Sequence, residues 1–140
     1  MKLYILDTDI MGFAFQKHAK VLNRIKALSD DEFVATTVIT LGEDLSGWLP
    51  ACRRTTDGVS RAKAYARLFE GFTFYKKFSS LPFDDAAAIV FDKLKLLRLH
   101  VGTNDLSIAA ITLSVGGILV TRNSKDFQRI PDVILEDWTI

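Results

Sequence analysis

The sequence predicts a single α/β domain, a mostly parallel β-sheet of about four or five strands flanked by helices. Three observations support it. Short apolar runs of strand length alternate with longer stretches in which apolar residues recur every three or four positions. The 140 residues suit one compact domain, taken as 1–140, with little room for a second. With 49% hydrophobic and 25% charged residues, a packed core is available and disorder is not expected. Strands separated by one or two helices pair in parallel beneath helices on both faces. In such sheets ligands bind beyond the carboxyl ends of the strands, so acids at those ends are the ones to examine.

Leu3, Tyr4, Ile5 and Leu6 form a first strand that runs into Asp7. Across residues 10–28, Ile10, Phe13, Ala14, Val21, Leu22, Ile25 and Leu28 keep helical spacing and predict one continuous helix. Ser29-Asp30-Asp31 stops it, and Phe33-Val34-Ala35-Thr36 reads as a second strand. A helix then starts near Thr40 and runs past Trp48 until Pro50 perturbs it. Asp57-Gly58 marks a turn before a helix carrying Arg61, Ala64, Tyr65, Leu68 and Phe69. Residues 78–83 read as a short strand ending at Pro82. Asp84 or Asp85 then caps a helix through Ala86, Ile89, Val90, Leu94 and Leu97. Asp105 opens the helix over residues 106–115, and Gly116-Gly117 closes it as a C-cap. Ile118-Leu119-Val120 is a buried strand and Val133-Ile134-Leu135 a last one.

Four carboxylates fall at one edge of this sheet. Asp7 follows the first strand, and Glu43 sits in the first turn of the helix after the second. Asp105 starts the helix before the Ile118 strand, and Asp126 lies shortly after that strand. Each alone has a structural use at a helix N-terminus; together they make a site. Converging carboxylates repel one another and require cations. Oxygen ligands without His or Cys suit Mg²⁺ or Mn²⁺ rather than Zn²⁺, and water on such an ion can attack a phosphodiester. Thr8 and Thr121 could set hydroxyls near those waters, or serve as helix caps. Arg122 and Lys125 flank Asp126 as phosphate contacts or as solvated loop cations. His18 and His100 fall among charged helical residues and read as solvated, which argues against a two-histidine ribonuclease mechanism.

The formal charge of +1, from 18 Lys and Arg against 17 Asp and Glu, excludes binding of nucleic acid by bulk charge. Any RNA contact must be local. Arg53, Arg54, Arg61, Lys63 and Arg67 could steer RNA or form a solvated helical face. One cysteine, Cys52, excludes an internal disulfide framework and fits a reducing cytosol. No apolar run approaches the ~18 residues that span a bilayer, and the opening residues read as a strand, not a secretory leader. A cytoplasmic protein is expected. The aromatic run Phe69, Phe72, Phe74, Tyr75 and Phe78 reads as core or partner interface.

Leu6-Asp7-Thr8-Asp9, the Glu43 helix, Gly102-x-x-Asp105-x-x-Ile108-Ala109-Ala110 and Leu119-Val120-Thr121-Arg122-Asn123-x-x-Asp126-Phe127 together resemble the PIN-domain nucleases. The likeness is to VapC-type toxins of bacterial toxin–antitoxin systems in particular. It extends through Leu81-Pro82-Phe83-Asp84 to the tail, Arg129-Ile130-Pro131 and Leu135-Glu136-Asp137-Trp138. The resemblance implies an Mg²⁺-dependent RNA endonuclease, with Mn²⁺ as a substitute, inhibition by a VapB-like antitoxin, and homodimers. It implies Asp7, Glu43 and Asp105 as the acidic core, completed by Asp126 or Asn123. Asp9 departs from the family pattern by standing where an asparagine is common.

Two other readings remain at this level. Ile5-Leu6-Asp7-Thr8-Asp9-Ile10 also resembles the nucleophile motif of haloacid-dehalogenase-like phosphatases, although Asp84-Asp85 is a poor match to their second acid pair. The other is a catalytically silent PIN-like binding module, against which the retention of every core acid speaks.

Overall fold

The middle of the sheet falls to β1 (Lys2–Leu6), whose Ile5 and Leu6 are fully buried. The computed structural model describes residues 1–140. On one side β1 pairs with β2 (Glu32–Thr37), and β2 with the short β3 (Ser79–Leu81). On the other side β1 pairs with β4 (Ile118–Val120), and β4 with β5 (Ile134–Glu136). Every pairing is parallel, in the order β3-β2-β1-β4-β5, as the alternating pattern predicts.

Successive strand residues face opposite sides of a sheet, so each strand feeds two layers of core. Tyr4, Leu6 and Val120 pack on Ile10, Met11 and Ala14 of α1 (Thr8–Phe15) and Val21 of α2 (Ala19–Lys26). Tyr75 of α4 (Gly58–Tyr75) and Trp138 complete that cluster. Ile5 and Leu119 instead pack on Leu94 of α5 (Asp85–Leu96), on α6 (Thr103–Ser114), and on Phe127 of α7 (Ser124–Phe127). Every residue of α6 from Leu106 to Thr112 is buried, which fixes the helix carrying Asp105 between the sheet and α5. The helix α3 (Val38–Arg53) sends Leu41 and Trp48 to the first cluster and Ile39 to the second.

Four expectations need correction. Residues 10–28 are two helices, not one. Lys17 takes a left-handed conformation (φ 60°), the Lys17 N–H donates to the Ala14 carbonyl, and the His18 N–H donates to Phe13. This is a Schellman closure with lysine where glycine is usual, so composition gave no sign of it. The third helix begins at Val38, capped by Thr37 Oγ1, which accepts the Thr40 N–H at 3.1 Å. Glu43 therefore lies in its second turn. That helix also continues through Pro50 to Arg53; the carbonyl deprived of a partner belongs to Ser46, which is exposed and open to water. The Asp105 helix starts three residues earlier than expected, at Thr103, with Gly102 as its cap.

Other expected signals are present. Asp57 and Asp84 cap α4 and α5. Gly116 is left-handed (φ 67°) at the end of α6. A Cβ on Gly117 would stand 2.7 Å from Ile5 Cδ1 and 3.2 Å from the Leu3 carbonyl oxygen, so glycine lets the chain enter β4 close against the central strand.

Candidate active site

The carboxyl ends of β1 and β4 are adjacent, since Leu6 is in register with Val120. The chain leaves them as Asp7-Thr8 and Thr121-Arg122-Asn123. The Asp7 N–H donates to the Val120 carbonyl, and the Thr121 N–H to Glu136 on β5, so both backbones are anchored where the sheet ends. Asp7 is the N-cap of α1: its Oδ1 accepts the Thr8 N–H at 2.7 Å. Its Oδ2 accepts the Thr121 hydroxyl at 2.7 Å.

Asp7 is 5% exposed and no cation pairs with it. Burial pushes its carboxyl from 3.8 up to about 7, helped by the charges of Asp9 and Asp105 and opposed by the bonds from Thr121 and Thr8.

Three neutral side chains tie the four predicted acids together. Thr121 Oγ1, besides donating to Asp7, accepts the Asn123 N–H at 2.9 Å. The Asn123 amide Nδ2 reaches Asp105 Oδ2 at 3.4 Å and Asp126 Oδ2 at 3.2 Å. On the other side Thr8 Oγ1 donates to Glu43 Oε1 at 2.9 Å and lies 3.2 Å from Thr40 Oγ1. All eight residues singled out from the sequence, Asp7, Thr8, Glu43, Asp105, Thr121, Arg122, Asn123 and Asp126, meet at this one edge. Asn123 and Asp126 are both at this edge, the amide of one donating to the carboxylate of the other. Asp105 is also held above the usual carboxylate range, first by burial and then by the charges of Glu43, Asp126 and Asp9.

Asp9 neither replaces a member of this set nor stays free. Its carboxylate accepts the N–H groups of Ile10 (2.7 Å) and Arg122 (3.0 Å), so it staples α1 to the loop after β4. Burial again raises its titration. His18 is not solvated as expected: it caps α2, with Nδ1 accepting the Val21 N–H at 3.4 Å, and meets Phe13 edge-on. Only His100 is exposed.

The acids fit a hard divalent cation in the chemistry of their donors. The donors are oxygens only, no salt bridge pairs any of these acids, and burial and the neighbouring acidic charges raise the titration of Asp7 and Asp105. No three acidic, histidine or cysteine side chains stand close enough to enclose an ion by themselves. An ion here would keep several waters, which is the habit of Mg²⁺.

A contact missed from the sequence lies behind Glu43: the Tyr75 hydroxyl donates to Asp44. Thirty-one residues separate the two, and no local pattern links them.

A family model of the PIN domain matches residues 4–133, and the chain belongs to that family. Within it, the similarity is to VapC ribonucleases over nearly the full length. Ribonuclease VapC2 of Rickettsia felis is 29% identical, the alignment covering 97% of this chain and 98% of that one. Ribonuclease VapC1 of Haemophilus influenzae is 28% identical over 98% of both. The crystal structure of VapBC2 from Rickettsia felis bound to a DNA fragment from their promoter superposes with a TM-score of 0.76 at 27% identity, covering 97% of this chain and 98% of that chain. The PIN assignment displaces the phosphatase alternative. Asp84, which that reading needed in the site, caps α5 by accepting the Ala87 N–H. No helix is long and apolar enough to cross a membrane.

Proposed function

We propose that this protein is an Mg²⁺-dependent RNA endonuclease, the toxin of a toxin–antitoxin pair, and that it acts in the cytoplasm as a homodimer restrained by a VapB-like antitoxin. One observation carries the reading: four carboxylates joined through Thr8, Thr121 and Asn123 at one sheet edge, in a chain similar throughout to named ribonucleases.

Asp7 and Asp105, with Glu43, would hold the ion, and Mn²⁺ would serve in its place. The chemistry such an ion supplies is the acidification of a bound water and the screening of phosphate charge. Thr121 keeps Asp7 in one rotamer and eases its ionisation at neutral pH. Asn123 sets the spacing of Asp105 and Asp126. Thr8 turns Glu43 toward the shared edge. Asp126 lies where it can orient a water or accept its proton.

Purified, antitoxin-free protein incubated with single-stranded RNA and Mg²⁺ tests the reading. Cleavage is expected from the parent, stopped by EDTA and restored by Mn²⁺, while folded Asp7→Asn and Asp105→Asn proteins cut nothing. Intact RNA with the parent under every divalent ion would identify a silent binding module. Parental rates from either variant would remove that residue from the site.

A further inference from the structure

Beside the acids, Asp9, Phe13, Arg122 and Asn123 line an open cleft of about 360 Å³. Arg122 is exposed, and its guanidinium carbon lies 5.3 Å from the centre of the Phe13 ring. The Arg122 charge acts on the Asp9 carboxylate, yet the guanidinium donates it no hydrogen bond and forms no ion pair; the chain's one salt bridge is Arg24 with Glu136. Its backbone is fixed all the same, because the Arg122 N–H is held by Asp9. Phe13 is fixed as well. It lies two turns along the helix that Asp7 caps, and His18 packs edge-on against it with ring centres 5.3 Å apart. An arginine held by an aromatic face keeps its in-plane N–H edge free, and that edge matches two oxygens of a phosphate.

Building on the nuclease reading, we propose that Arg122 binds a backbone phosphate of the RNA next to the one being cleaved, and that Phe13 is a positioning residue that holds the guanidinium over this cleft. Asn123 lines the cleft and also bonds Asp105 and Asp126, so a strand seated on Arg122 is directed across the carboxylates. Resting over the ring without a direct carboxylate partner, the guanidinium keeps its N–H groups for the substrate.

Two measurements test this. In cleavage of single-stranded RNA, Arg122→Gln is expected to raise KM about tenfold with little change in kcat. Phe13→Leu, which keeps apolar bulk but loses the ring face, should raise KM roughly two- to fivefold, and Phe13→Tyr should restore it. Adding Phe13→Leu to Arg122→Gln should cost nothing more, since the ring acts through the guanidinium. The second measurement is binding of a labelled single-stranded RNA by protein that also carries Asp7→Asn to block cleavage. There Arg122→Gln should reduce the slope of log K against log salt by about 0.7, the loss of one phosphate contact. Unchanged KM and salt slope in Arg122→Gln would overturn the proposal while leaving the nuclease reading intact. If the parent cuts no RNA the nuclease reading fails, and the salt slope still decides whether Arg122 meets a phosphate.

Discussion

Replacing Asp7 by asparagine is expected to remove cleavage and yet make the metal-free protein more stable at neutral and alkaline pH. The Asp7 carboxyl titrates at an ordinary 3.8 when unfolded and at about 7 when folded, chiefly because it is buried. A carboxyl raised by folding keeps its proton in the native state after the unfolded chain has lost it. Below pH 4 both states are protonated and burial costs nothing extra. Between about pH 4 and 7 the unfolded chain binds fewer protons, so native stability falls as pH rises; above about 7 the whole penalty is present. At about 1.36 kcal/mol per pH unit the ceiling is about 4 kcal/mol, or roughly 10 °C in Tm for a domain of this length. Asparagine keeps the shape, can accept the Thr8 N–H and donate to Thr121 Oγ1, and has no charge to bury. Chemical denaturation of parent and variant in EDTA at pH 4, 6 and 8 measures the difference. It should be near zero at pH 4, widen to several kcal/mol at pH 8, and shrink when Mg²⁺ is added, because the ion stabilises only the parent. A difference that does not vary with pH, or a variant less stable at pH 8, refutes the argument.

Three further outcomes follow from the same geometry. Asp126→Asn should lower the cleavage rate about tenfold, less than Asp105→Asn, because Asn123 and Asp105 remain in place; a rate assay at saturating Mg²⁺ decides. Thr121→Val removes both the donor to Asp7 and the acceptor for the Asn123 N–H. It should lower stability by about 2 kcal/mol in denaturant titrations and move the pH–rate profile to higher pH, since Thr121 is what eases the Asp7 proton off. Gly71→Ala would place a Cβ 2.4 Å from the Trp48 ring, so thermal melting should show a loss of about 1–3 kcal/mol.

Much of the framework was legible because hydrophobic period and punctuation agree. The strand before Asp7, the caps at Asp57 and Asp84, and the Gly116-Gly117 closure each have a local cause that sequence displays. The helix break at Lys17 has none: a lysine occupies the left-handed position, and the two hydrogen bonds that close α1 are backbone bonds. Pro50 misled for the opposite reason, since a local rule was overridden by an exposed turn that water can satisfy. The acids could be placed at one edge by topology alone, but not the links between them. Thr121 to Asp7 spans 114 residues and Thr8 to Glu43 spans 35, and pairings of that reach depend on strand register. The same holds for Arg122 over Phe13, whose partners come from opposite ends of the chain.

That separation governs when the protein becomes competent. Asp7 is made 114 residues before Thr121, whose hydroxyl bonds it, and β1 finds its β4 partner only once that later segment exists. Contacts so remote in sequence form late and slowly. A growing polypeptide therefore carries this acid through those 114 residues of synthesis without the surroundings that would let it act. On the nuclease reading, the chain cannot cut RNA until the segment from Thr121 to Asp126 has been made.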